Sequence, residues 1–167
     1  MAEMELATLI CGEIVGTLRQ DKHGLCSFVY APTYRGAPLS LTMPLSNRTY
    51  GHNIVRPFLF GLLPDSQEQR RAIAAEYDVA SNNPVALLRH IGLDCAGAVQ
   101  FCRADQLDAA RGRVSTYRPL TNSQIARRLK AIRDDESETW MGSNESWSLG
   151  GNQGKFALAW HDGQWCE

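Results

Sequence analysis

Residues 147–160 read WSLGGNQGKFALAW, a cluster of Gly150, Gly151 and Gly154 closed by Lys155 and flanked by apolar runs. Backbone N–H groups unobstructed by side chains, next to one cation, are the parts from which a phosphate cradle is built. The same glycines are what a tight hairpin needs wherever φ is positive. Spacing excludes two phosphate loops. A P-loop needs glycine where Leu149 stands and Ser or Thr where Phe156 stands, and a dinucleotide fingerprint fails on the same absent glycine. Both also need a following helix. Here Phe156, Leu158 and Trp160 alternate with Lys155, Ala157 and Ala159, a period of two that reads as a half-buried strand. His161-Asp162-Gly163-Gln164 then reads as a turn, with Trp165 opening another strand.

What remains is a glycine-rich loop between two strands, the arrangement in which protein kinases lay backbone N–H groups over ATP phosphates. A structural hairpin is the alternative for this stretch taken alone. Other chemistry-bearing residues read as structural. Asp65 and Asp94 form a tempting carboxylate pair, yet each adjoins a helix end, where aspartate caps or turns the chain. Cys95 lies among small residues with no histidine or lysine beside it to lower its pKa, which reads as a packed thiol. Five cysteines, Cys11, Cys26, Cys95, Cys102 and Cys166, contain no C-x-x-C pair and give neither a disulfide framework nor a zinc site. His23, His52, His90 and His161 have no metal-ligand spacing, so no metal site is expected.

The elements that must position the glycine loop fall into three parts. Residues 1–105 read as an α+β module. "LATLICGEIVGTLRQ", "LCSFVYAP" and "PLSLTMPL" carry strand signals for a small antiparallel sheet. From Pro57 the pattern turns to short helices: "PFLFGLL" stopped by Pro64, then Ser66 and Gln69 as a capping box. Asn83 before Pro84 caps a helix with Val85, Leu88 and Ile91 in one stripe, ended by Gly92. "GAVQFCRA", residues 97–104, returns to a strand. Residues 106–146 read as a linker holding one helix, capped by Thr121 with Gln124, whose Ile125, Leu129 and Ile132 face one way while Arg127, Arg128, Lys130 and Arg133 face outward. Residues 147–167 carry the glycine loop and its second strand.

With 167 residues, 44% of them hydrophobic, the chain can bury a core. Net charge is -1 from 17 basic and 18 acidic side chains, so no global pull toward nucleic acid or an anionic membrane is expected. The opening "MAEMELATLICG" lacks a basic leader, and no apolar run approaches a membrane span, which makes the cytoplasm the expected compartment.

Three phrases taken together carry a resemblance: "FLFGLLPD" at 58–65, "HIGLDCAGAVQF" at 90–101 and "SLGGNQGKFAL" at 148–158. In order and wording they resemble the N-terminal part of HipA-family toxins, serine/threonine kinases of bacterial toxin-antitoxin systems associated with persistence. The resemblance covers roughly residues 10–160 and implies an α+β fold that leads, through a helical linker, into the first hairpin of a protein-kinase-like N-lobe. It implies that Gly150, Gly151, Asn152, Gln153, Gly154 and Lys155 form the nucleotide-binding loop. Asn152 and Gly154 depart from the commonest family wording while keeping a backbone amide at each position. Ser148 takes the place of the family's autophosphorylated serine, whose modification throws the loop out of its nucleotide-binding position. A phosphate of nearly two negative charges beside a loop that sits against other phosphates is a physical reason for such a switch.

The resemblance also implies ATP and magnesium as cofactors of an intact kinase, with none bound tightly by these residues alone. It implies a protein substrate of the aminoacyl-tRNA synthetase kind, such as the glutamyl enzyme. A helix-turn-helix antitoxin of the HipB type is the implied partner, with DNA reached only through it. The catalytic lysine, Asp, Asn and metal-binding Asp of such kinases lie C-terminal to the glycine loop, so the 167 residues are expected to lack catalysis and to be part of a longer kinase. The alternative is a stand-alone, non-catalytic interaction module that restrains a partner kinase.

Overall fold

The computed structural model describes residues 3–112, 116–134, 147–148 and 156–167. Four strands open the chain: β1 (Met4–Ile10), β2 (Glu13–Gln20), β3 (Cys26–Tyr30) and β4 (Thr49–Tyr50). Three helices follow, α1 (His52–Phe60), α2 (Gln67–Glu76) and α3 (Pro84–Ile91), then β5 (Asp94–Cys95), β6 (Val99–Cys102) and α4 (Leu107–Arg111). Helix α5 (Asn122–Asp134), β7 (Trp147–Ser148), β8 (Ala159–His161) and β9 (Gln164–Cys166) complete the described elements. The antiparallel sheet runs β4-β3-β2-β1-β6. The expected α+β architecture of an antiparallel sheet with short helices is therefore present.

Alternation decides which side chains enter the core. In β3, Cys26, Phe28 and Tyr30 are buried and the residues between them are not. With Leu6, Val15 and Leu18 they face the apolar sides of α1 and α3, including Val55, Leu59, Val85, Leu87 and Leu88. On the other face of β1, Leu9 meets Cys102 and Ala110 of α4. The capping residues act as their types require. Ser66 accepts from the Gln69 N–H at 3.4 Å, and Asn83 accepts from the Ala86 N–H at 3.2 Å with Pro84 at the first helical position. Asn83 also exchanges two hydrogen bonds with buried Gln20, 3.1 and 2.9 Å, bolting the start of α3 to the end of β2.

Three expectations are corrected. "LATLICGEIVGTLRQ" is a hairpin rather than one stretch, because Cys11 and Gly12 take φ of 49° and 79° and turn β1 into β2. Helix α1 starts at His52, before Pro57, which lies inside it. "PLSLTMPL" forms turns instead of a strand. Pro38 and Pro44 have no N–H to give a ladder, and tyrosine hydroxyls take up the backbone groups that a neighbouring strand would have paired. Tyr30 Oη–H donates to the Met43 carbonyl at 2.7 Å and accepts from the Leu39 N–H at 2.8 Å. Tyr34 and Tyr50 donate to the Ala37 and Pro44 carbonyls. A Tyr30→Phe variant orphans both backbone groups and is expected to lose about 2 kcal/mol of stability in a urea titration, the cost of leaving buried polar groups unpaired.

Candidate functional site

The residues singled out for phosphate binding, Gly150, Gly151, Asn152, Gln153, Gly154 and Lys155, lie outside the described residues. What is described is how the chain enters and leaves that segment. On the entry side, β7 carries the Ser148 backbone and pairs in parallel with β5, with Trp147 opposite Asp94 and Ser148 opposite Cys95. The β5 strand is itself held by a tight return into β6, in which Gly97 and Ala98 take φ of 76° and 59°. The left-handed region strongly favours glycine, which explains Gly97 in "DCAGAV". Gly92 closes the other side: its carbonyl accepts from the Phe101 N–H at 2.7 Å and from the Cys95 thiol at 3.6 Å.

Cys95 is buried, and that burial pushes its thiol up to about 12, so it is neutral near pH 7 and a packing group. The sequence reading of a packed thiol holds. Asp65 and Asp94 are both exposed; Asp65 sits in the turn before α2, its carbonyl accepting from the Arg70 guanidinium at 2.8 Å. His52 Nδ1 accepts from the Cys26 N–H at 3.0 Å, while His90 stacks on Tyr77 and His161 on Tyr117 at 4.5 and 4.0 Å between ring centroids. These three histidines serve packing and hydrogen bonding. Among the described residues no group of three or more His, Cys, Asp or Glu side chains could hold a metal ion. No helix there is long and apolar enough to cross a membrane.

On the exit side, β8 and β9 form the expected hairpin around Asp162 and Gly163, whose φ values of 48° and 77° are those of a two-residue turn twisted to match its strands. Trp160 and Trp165 are cross-strand partners, edge to face at 4.9 Å. The strand that alternation predicts from Lys155 is shorter than expected: it begins at Ala159, and Trp160 is 61% exposed rather than half-buried.

Sequence reading missed what braces this hairpin. Arg118 and Glu167 exchange two backbone hydrogen bonds of 2.9 and 3.0 Å, and the Leu120 N–H donates to the Trp165 carbonyl at 2.8 Å. Residues 118–120 thus run beside β9, an extended path that Arg118 immediately before Pro119 already favours. Thr121 and Gln124 then cap α5 reciprocally, each backbone N–H bonded by the other's side chain. The expected facing of α5 is partly reversed. Leu129 is 57% exposed, whereas Arg128 turns in to bond the Glu167 carboxylate and to sit over the Phe156 ring. A buried acid outcompetes a leucine for the inner face because a buried carboxylate without a cation costs more than an exposed leucine.

The family model described as HipA N-terminal domain matches residues 6–102. The chain is 33% identical over 161 residues to Y4mE of Sinorhizobium fredii, which carries a kinase description; the match covers 92% of this chain and 37% of that protein. It is 30% identical over 90 residues to an uncharacterized protein of Haemophilus influenzae, covering 54% of this chain and 83% of that one. Among solved structures, a complex of Shewanella oneidensis toxin-antitoxin HipA, HipB and operator DNA matches with a TM-score of 0.69 and 26% identity, over 96% of this chain and 37% of the other. The chain thus spans little more than a third of the length of the kinase-described relative and of the solved chain.

Proposed function

The chain belongs to the HipA family through its N-terminal domain, and from that premise we propose that it is the N-terminal portion of a toxin kinase that moves phosphate from ATP to a serine of a protein substrate. The observation that carries this reading is the backbone order around the glycine cluster. Strand β7 bears Ser148, the glycine-lysine segment follows, and three residues beyond it an antiparallel hairpin begins at Ala159. Strand, glycine loop and strand is the layout that aims successive N–H groups at one anion.

In this reading the amides of Gly150 to Gly154 donate to phosphate oxygens, Lys155 adds a cation, and ATP supplies the group transferred. The donor set is chemically suited to a polyphosphate. In this reading the metal ligands and the catalytic loop are supplied by the kinase-length protein. Ser148 is the autophosphorylation site that shuts the kinase off. The substrate is an aminoacyl-tRNA synthetase. The solved complex of HipA with HipB and operator DNA supports a HipB-type antitoxin as partner, with DNA contacted through it.

The purified 167-residue chain is expected to transfer no labelled phosphate from ATP to any protein, whereas a kinase-length polypeptide carrying it transfers phosphate to serine. Transfer by the short chain alone would contradict the assignment of catalysis to residues outside it. A second reading has its own support. A Haemophilus influenzae relative is covered over 83% of its length by 90 aligned residues, so a protein little longer than this module exists by itself. In that reading the chain restrains a partner kinase, and its addition to such a kinase lowers phosphate transfer at a fixed ATP concentration.

A further inference from the structure

We propose that the outward face of the β8–β9 hairpin, carrying Trp160 and Trp165, is an intramolecular docking surface that packs against apolar side chains of the catalytic portion of the kinase. This rests on the reading of the chain as the N-terminal portion of a longer kinase. The two strands alternate: Ala159 is half-buried and its cross-strand partner Cys166 is buried, which makes that side the inward one. Trp160 and Trp165, opposite each other one register position on, stand on the other side and are 61% and 44% exposed. An outward face ordinarily carries polar residues. This one carries two of the largest apolar side chains, edge to face at 4.9 Å.

Both indoles stand on a paired backbone. The turn at Asp162 and Gly163 closes the hairpin, and residues 118 and 120 bond Glu167 and Trp165 along its far strand. A rigid, adjacent aromatic pair suits docking, because rings with two rotatable bonds bury much area at little entropic cost. Charge decides the kind of partner. Residues 159–166 hold Asp162 and no lysine or arginine, so the hairpin offers no cation to a nucleic-acid backbone or an anionic lipid surface and suits an apolar protein surface. Length decides which protein. The match takes in 37% of Y4mE and 37% of the solved HipA chain, so the larger part of a kinase-length chain lies outside the matched portion. In the proposed reading that part follows β9 on the same polypeptide, and the tether keeps it at high local concentration beside the hairpin, whereas a second copy has to be recruited from solution.

The test has two arms. Hydroxyl-radical footprinting read by mass spectrometry compares the indoles in the 167-residue chain and in the kinase-length protein, at a radical dose fixed by a free reporter peptide. Oxidation of Trp160 is expected to fall about tenfold in the longer protein, with Trp165 falling alongside it, because a docked aromatic anchor is cut off from water. In the 167-residue chain both stay reactive at every protein concentration. The second arm is Trp160→Ser. In the 167-residue chain it is expected to lower the melting temperature by no more than about 3 °C, the loss of one exposed aromatic pair. In the kinase-length protein, where the ring is covered, the expected drop is about 6 °C or more. Should the kinase-length variant not fold, the footprint of the wild-type protein decides. Equal oxidation of Trp160 in the two proteins overturns the proposal. So does protection that appears in the 167-residue chain as its concentration rises, which would make a second copy the occupant. Phosphate transfer measured on the same kinase-length protein keeps the two readings apart: transfer with Trp160 still reactive overturns the docking surface alone, while protected indoles without transfer overturn the kinase reading and leave the docking standing.

Discussion

A Gly16→Ala variant will lose at least about 3 kcal/mol of stability, the upper range for overpacking a filled site, and Gly16→Val will not reach the native fold. Gly16 lies in β2 opposite Tyr30 of β3. A Cβ built there would sit 2.2 Å from the Val29 carbonyl oxygen, 2.6 Å from the Phe28 ring and 2.9 Å from the Tyr30 Cα. Two of those three neighbours are backbone of the central ladder, so relief requires the strands to part. Parting them would also disturb Phe28 and Tyr30, which pack edge to face at 4.9 Å. Thermal unfolding followed by circular dichroism reads the effect. Gly51→Ala is the matched control, because its Cβ meets nothing within 4 Å, and it should stay within about 1 kcal/mol of wild type. Equal melting of the Gly16→Ala variant and wild type would mean that β2 and β3 do not approach as closely as described.

Under the proposed function, Ser148→Asp in the kinase-length protein will weaken MgATP binding about tenfold or more, which is about 1.4 kcal/mol, and reduce activity in step. Ser148→Ala will keep ATP affinity near wild type and remove the main autophosphorylation site. The cause is electrostatic and local. Added negative charge stands two residues before Gly150, next to amides whose role is to face phosphate. Among the described residues, the strand that carries Ser148 pairs with β5 at Trp147 and Ser148, apart from the five-stranded sheet. Calorimetric titration of ATP into both variants, with mass spectrometry of phosphorylated wild type, separates a switch from an inert surface serine. Equal affinities and an unmodified Ser148 would remove the switch and leave the family membership in place.

The features legible in the sequence were those set by a few adjacent residues. Ser66 with Gln69, Asn83 with Pro84, and Thr121 with Gln124 mark helix starts because a cap needs only a short side chain and an amide two or three positions on. Asp162-Gly163 marks a hairpin because its turn needs two positive φ values. The alternation in β3 gives the core face because the pleat has a period of two. Family membership was legible for a similar reason: three short phrases at separate places are hard to match together by chance.

Other features depend on residues far apart in the chain. Whether "PLSLTMPL" extends or turns was decided by three tyrosines from β3, β4 and the intervening loop, whose hydroxyls took the place of a neighbouring strand. The inward side of α5 was decided by Glu167, 39 residues beyond Arg128, since hydrophobic periodicity carries no information about where a buried carboxylate will be. The docking of the Ser148 strand on Asp94–Cys95 joins residues more than fifty positions apart, which no local pattern announces. The sequence by itself therefore determined the helix caps, the Asp162-Gly163 turn and the core face of β3, and marked residues 150–155 as a candidate glycine loop. Only the tertiary structure decided what holds the two ends of that loop, because those braces are pairings between distant groups, and their free energy exists only once the chain has brought them together.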